Sequence, residues 1–180
     1  MSRPHRPFPI LIGSRTVHQG RIIEVRVDEI EVRDGLNVRR DIVSHPGAVV
    51  MLAIDADGRI LWVRQHRWAV KRDLLELPAG TLEHDEPPDK CARRELAEET
   101  GFAAATWLEL GGFYSAPGFC DEYLTAYLAT DLTPEQADGD EDEDISVEAL
   151  TLEESLSRIV AGEIVDAKSL ATLMLYMRTL

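Results

Sequence analysis

Residues 80–102 read Gly80-Thr-Leu-Glu83-His-Asp-Glu86-Pro-Pro-Asp-Lys-Cys-Ala-Arg-Arg94-Glu95-Leu96-Ala-Glu98-Glu99-Thr-Gly101-Phe102, a glycine-opened loop running into a helix. Pro87 and Pro88 suit a first helical turn, where a missing N–H costs nothing, and Gly101 suits a C-terminal cap. The spacing predicts a helix from about Pro88 to Thr100. At 3.6 residues per turn, Arg94, Glu95, Glu98 and Glu99 fall within an arc of about 140°, while Ala92 and Leu96 continue the apolar stripe beside Glu99. Three carboxylates therefore crowd one edge. Glu95 and Glu99 are a like-charged i,i+4 pair that costs the helix roughly a few tenths of a kcal/mol, and Arg94 offers the local relief. A divalent cation reverses that repulsion, because carboxylate oxygens are the ligands that hard Mg²⁺ or Mn²⁺ prefers. The rival reading of the same face is a solvated charged surface, and helix spacing alone weighs the two about evenly.

Working outward, 180 residues suit one domain with a substantial core and an extension. Hydrophobic residues at 44% and charged residues at 29% describe an ordinary globular chain. The formal net charge of −14, from 33 acidic against 19 basic residues, argues against a nucleic-acid surface, so no nucleic-acid partner is expected. An anionic substrate needs metal ions and a local arginine cluster to overcome that field. Cys91 and Cys120 make neither a metal nor a disulfide pattern and are expected to be buried or half-buried thiols in a reducing compartment. The first residues lack the apolar core of a signal peptide and no run approaches transmembrane length, so the expectation is a cytoplasmic protein without a membrane partner.

Residues 1 to about 14 carry three prolines and are expected to form a poorly ordered arm. From Arg21 to Arg33 the pattern is strand-like, with a phase slip at Asp28-Glu29 that predicts a bulge or bend, then a turn at Asp34-Gly35 and a return strand through Val38, Arg40 and Ile42. This meander has too few apolar positions to fold alone. It must cover its own main domain or pack on a second subunit. His45-Pro46-Gly47 marks the boundary, dividing the chain into a β extension over 1–46, expected to dimerise, and a main domain over 47–180.

Ala48 to Ile54, the turn Asp55–Gly58 and Arg59 to Arg64 read as a buried hairpin. Leu74 to Ala79 is a short strand leading into Gly80, and Thr106 to Tyr114, Glu122 to Ala129 and Ile145 to Leu150 read as further strands. Thr151 with Glu154 forms a capping box opening a helix to about Val160. Asp166 caps a last amphipathic helix whose apolar side is expected to carry Leu170, Leu173, Met174 and Met177. Antiparallel strands, a loop and helix, more strands and terminal helices make an α+β arrangement with a mixed sheet between helices.

The nine fixed positions Gly80, Glu86, Arg94-Glu95-Leu96, Glu98-Glu99 and Gly101-Phe102 resemble the complete Nudix box. The resemblance implies an α/β/α sandwich and hydrolysis of a pyrophosphate linkage in a nucleoside diphosphate joined to another group. It implies Glu95, Glu99 and the carbonyl of Ala79 as ligands for Mg²⁺, or Mn²⁺, with two or more ions per site, and Glu98 either sharing in that ligation or positioning the others, so that Glu98 and Arg94 count among the catalytic groups. Arg94 then orients Glu98 or neighbouring carboxylates, and Glu86 is structural. Pro117, sixteen residues after Gly101, is similar to the ADP-ribose pyrophosphatase branch, although Pro-Gly is also an ordinary turn. Gln65-His-Arg67, Leu75-Glu76-Leu-Pro-Ala-Gly80 and Gly162-Glu-Ile-Val-Asp166-Ala-Lys168 resemble the same branch.

Asp138-Gly-Asp140-Glu141-Asp142-Glu143-Asp144 holds six acids in seven residues, which by composition is a solvated loop. By the resemblance, Glu141 is the general base, Glu143 a further metal ligand, and the register is open by a residue or two. Arg67 and Arg40 suit phosphates or an adenine face; each is alternatively a surface arginine. Trp68 is read as core or interface. The expectation is a Mg²⁺-dependent ADP-ribose pyrophosphatase acting as a homodimer; enzymes of that kind often swap such an N-terminal segment, and the residues leave swapping open. The alternatives are a pyrophosphatase for a GDP-linked or other sugar nucleotide, and a silent Nudix-fold ligand sensor.

Overall fold

The structure is a computed structural model and describes residues 9–33, 35–135 and 145–180. Among these the strands are β1 Ile10–Gln19, β2 Glu24–Arg33, β3 Leu36–Ser44, β4 Ala48–Ala53, β5 Ile60–Arg67, β6 Arg72–Glu76, β7 Ala79–Thr81, β8 Phe102–Tyr114, β9 Tyr123–Pro134 and β10 Ser146–Leu150. The helices are α1 Pro88–Thr100, α2 Leu152–Val160 and α3 Ala167–Met177. Two compact units result: one runs up to Pro46 and includes Ala116–Glu122, and the other comprises Gly47–Ser115 with Tyr123–Leu180.

In the first unit β1, β2 and β3 form an antiparallel sheet in that order. β1 starts at Ile10, earlier than the expected end of a disordered arm near residue 14, because the prolines stop at Pro9 and every later residue can donate to the ladder. No bulge sits at Asp28-Glu29. β2 pairs with β3 without interruption from Glu24 to Glu31, and the register shifts lie between Leu11 and Gly13, Thr16 and His18, and Glu31 and Arg33. β2 is the central strand and half-buried along both faces, so alternating phases of apolar residues need no kink. Gly35 turns the chain at a φ of 75° and its N–H donates to Glu31 Oε1 at 2.7 Å. Asp121 ties the Ala116–Glu122 turn to this sheet by accepting from Ser44 Oγ at 2.9 Å and from the His45 N–H at 2.8 Å.

The second unit is organised on β4, whose six residues are all buried. It lies inside a mixed four-stranded sheet of order β7-β4-β9-β8, parallel to β9 and antiparallel to β7. Alternation sorts its side chains: Ala48, Val50 and Leu52 enter one core with Leu173 of α3 and Leu152 of α2, while Val49, Met51 and Ala53 enter another with Cys91, Ala92 and Leu96 of α1. Helices thus cover both faces, as an α/β/α sandwich requires.

The apolar run at 48–54 is not half of a hairpin. After one bridge between Ile54 and Ile60 the two strands separate, and β5 joins a second sheet of order β10-β5-β6. A strand buried on both faces needs partners on both edges, and β9 and β7 supply them. The capping box of α2 is formed by Thr151 and Glu154, and the Trp62 indole N–H donates to Ser155 Oγ at 3.1 Å in the core beneath that helix. Asp166 caps α3. The buried side of α3 carries Ser169, Thr172 and Leu173, with Leu170 packed against the core, whereas Met174 and Met177 are exposed. Ser169 is accommodated at an inward position because its hydroxyl accepts the Leu77 N–H at 2.8 Å.

Candidate active site

α1 is set by its ends and its apolar stripe. Pro87 and Pro88 lead in, Gly101 leaves at a φ of 73° with its N–H on Ala97 O at 2.9 Å, and Cys91, Ala92 and Leu96 are fully buried. The carboxylate edge is thereby turned away from the core toward β7. Gly80 meets it there: a Cβ at position 80 would lie 1.9 Å from Glu95 Cδ. The box glycine is required by this approach, since Gly80 is absent from the residues with positive φ.

Arg94 is the hub of the cluster. Its Nε donates to Glu86 Oε1 and its Nη2 to Glu86 Oε2, both at 3.0 Å, while Nη1 donates to Glu95 Oε1 at 2.8 Å and to Glu98 Oε2 at 2.9 Å. The paired bonds from Arg94 hold the Glu86 carboxyl down to about 2. The same partners push the Arg94 guanidinium up. Glu99 is buried and accepts the Ala79 N–H on Oε2 at 3.0 Å. Burial, with the Glu86 and Glu95 charges nearby, pushes the Cys91 thiol up, so it is a packing residue and not a nucleophile. A cavity of about 440 Å³ opens beside Arg94 and Glu98, walled by Trp107 under the Arg93 guanidinium, 4.9 Å from the ring centre.

Three carboxylates on one guanidinium leave two negative charges in excess before Glu99 is counted. As they stand, no three acid, His or Cys side chains among the described residues converge into a cation cage. Arg94 gathers Glu95 and Glu98 to itself, and the Ala79 N–H holds Glu99. The donor set still fits a divalent cation: hard oxygen ligands, surplus negative charge and a neighbouring cavity.

On the strands beside this helix, Arg67 donates through Nε to both Glu76 oxygens at 3.2 Å and through Nη2 to Oε2 at 2.7 Å. Burial opposes the Arg67 charge, but Glu76 foremost, then Glu99 and Asp166, raise its pKa above the ordinary value. Lys168 also pairs with Glu76, and with Asp166 at 3.0 Å. Sequence reading gave Glu76 and Lys168 no role. The available signal was a glutamate in a strand end that is otherwise apolar, Leu74-Leu75-Glu76-Leu77.

The structure therefore brings Ala79, Arg94, Glu95, Glu98 and Glu99 together, with Arg67 within electrostatic reach of Glu99. Arg40 and Pro117 belong to the first unit, where both are exposed and Arg40 Nη1 donates to Arg39 O at 2.9 Å. Glu141 and Glu143 lie outside the described residues. Trp68 is 78% exposed, which excludes a core role: it stands just past β5, where the polar run Arg64-Gln65-His66-Arg67 ends. No helix among the described residues is long and apolar enough to cross a membrane.

The box geometry and the helix-covered mixed sheet define a class, and the family comparison gives the same one: the NUDIX domain model matches residues 44–172, so the chain belongs to the Nudix hydrolases. Within it, the chain is similar to ADP-ribose pyrophosphatase of Bacillus subtilis (strain 168), 39% identical over 160 residues covering 88% of this chain and 86% of that one. It is 41% identical over 165 residues to ADP-ribose pyrophosphatase of Mycobacterium tuberculosis (strain ATCC 25618 / H37Rv), covering 89% and 79%. A methanol dehydrogenase activator of Bacillus methanolicus matches at 39% over 160 residues, covering 88% and 86%. A solved structure described as an ADP compounds hydrolase superposes with a TM-score of 0.87 at 22% identity, covering 98% of this chain and 96% of that one, and supports the fold.

Proposed function

We propose that this chain hydrolyses the pyrophosphate bond of ADP-ribose to AMP and ribose 5-phosphate. The observation that carries the reading is the likeness to two ADP-ribose pyrophosphatases at 39% and 41% identity over nearly nine-tenths of the chain, with every box carboxylate in place. The intact carboxylates also speak against a silent sensor.

The carbonyl of Ala79 and the carboxylates of Glu95, Glu98, Glu99 and Glu143 would hold the cations, Mg²⁺ or Mn²⁺, two or more per site. When bound, such ions neutralise phosphate charge and lower the pKa of a coordinated water. Arg94 positions Glu95 and Glu98 through its Nη1 and is itself steadied by Glu86, so the ligand edge stays ordered against its own repulsion. Glu141 takes the proton of the attacking water. Arg67, whose Nε and Nη2 edge is fixed on Glu76, is half-exposed and offers its charge to a substrate phosphate, while Arg40 and Pro117 serve the rest of the substrate.

The protein is proposed to act as a cytoplasmic homodimer through residues 1–46. Ile10, Leu11, Ile12 and Val17 are exposed on β1, which among the described residues pairs with β2 alone, so a second copy would cover both apolar side chains and an open strand edge. The decisive experiment is a substrate panel with Mg²⁺, covering ADP-ribose, GDP-mannose and other sugar nucleotides, with products identified. ADP-ribose should give the highest kcat/KM and yield AMP with ribose 5-phosphate; faster turnover of a GDP-linked sugar sinks the assignment.

A further inference from the structure

Glu76 is 2% exposed, sits at the end of β6, and is paired with Arg67 from β5 and with Lys168 from the first turn of α3. A buried carboxylate with one cationic partner would keep that partner's charge for itself. Here two cations meet it, and Lys168 is in turn shared with Asp166, which also accepts the Ser169 N–H at 3.0 Å and the Ser169 hydroxyl at 2.6 Å. Asp166 further lies at the N-terminus of α3, where the helix dipole supplies roughly half a positive charge. The four side chains carry two positive and two negative charges, so neither cation is held by Glu76 alone, and Arg67 is the most exposed of the four at 38%. Among the described residues Arg67 Nη1 makes no hydrogen bond, so that edge is turned away from Glu76.

The same helix end braces the box. Ser169 Oγ accepts the Leu77 N–H at 2.8 Å, two residues before Ala79, whose N–H holds Glu99 at 3.0 Å.

We propose that Lys168 is a positioning residue: by neutralising buried Glu76 it leaves the Arg67 guanidinium oriented and electrostatically available to a phosphate of the substrate. The inference rests on the reading that Arg67 meets that phosphate. Without Lys168, Glu76 would draw the whole Arg67 charge inward. Binding of substrate would weaken while the groups acting on water stayed in place.

The test is steady-state kinetics on the full chain with ADP-ribose and Mg²⁺. Lys168→Met should raise KM about tenfold with kcat changed by less than about threefold, the signature of lost binding and not of lost chemistry. Lys168→Arg should restore KM. Adding Glu76→Gln to Lys168→Met should recover part of the loss, because the anion competing for Arg67 is then gone, whereas a merely structural lysine would give two losses that add. If Lys168→Met does not fold, Lys168→Gln carries the same expectation. An unchanged KM in Lys168→Met together with a raised KM in Arg67→Met overturns this inference alone. An unchanged KM in Arg67→Met overturns the phosphate reading and this inference with it.

Discussion

Two ion clusters lie in the second unit, and they are built on opposite plans. Around Arg94, one guanidinium serves Glu86, Glu95 and Glu98, with Glu99 adjacent on the same helix, so negative charge is in excess. Around Glu76, two cations and two carboxylates compensate each other. An uncompensated cluster destabilises its own helix and persists only where something from outside completes it. A compensated one needs nothing further, and holds its members in place. The contrast separates a carboxylate cluster that calls for cations from a balanced one that holds Arg67 in position.

The sharpest way to break this contrast is Glu99→Gln. The amide keeps an oxygen for the Ala79 N–H, so the fold should survive, but the ligand loses its charge. We expect kcat/KM with Mg²⁺ to fall about a thousandfold, in the range found when a group meeting the transition-state charge is removed, with the melting temperature little changed. A loss under about tenfold would mean that Glu99 holds Ala79 and no cation.

Gly80→Ala comes next. The added methyl collides with Glu95 Cδ, Oε1 and Cγ, which are the far end of a flexible side chain, so the strain is relieved by moving that carboxylate. Activity should drop about a hundredfold, the scale of a misplaced catalytic group, while the melting temperature falls by only about 2–4 °C. If stability collapses instead, Gly80 serves the β7 backbone and its distance from Glu95 is incidental.

These sites differ in how far the sequence announces them. The helix of the box was legible because its signals are local: Pro87, Pro88 and Gly101 mark the ends and 3.6 residues per turn gathers the buried stripe and the acid edge, while the metal reading of that edge came from the resemblance. The Thr151 and Glu154 box was legible for the same reason, being local. β4 was misread as a hairpin strand because a fully apolar run announces burial on both faces without naming its neighbours, and the parallel partner β9 begins at Tyr123, far along the chain. On α3 the apolar residues Met174 and Met177 outweighed Ser169 and Thr172 in the pattern, yet the hydroxyls face inward. The pairing of Glu76 with Lys168 joins residues 92 positions apart and leaves no local signature at all.

The smallest effect expected separates the two roles of Arg94. Its grip on Glu86 keeps that carboxyl at about 2, below the ordinary 4.5. A depressed folded-state pKa contributes stability that is fully present above the ordinary value and is lost as pH falls from about 4.5 through about 2. Glu86→Gln removes this linkage. The variant should therefore melt a few degrees, about 2–5 °C, below the parent at neutral pH, and the two melting curves should converge as pH falls through that window. A constant gap would show that the Glu86 to Arg94 contact stabilises by shape and not by charge. Convergence, with turnover at neutral pH reduced by only about tenfold against the thousandfold of Glu99→Gln, would mark Glu86 as the anchor of the hub and leave the chemistry to the carboxylates on its other side.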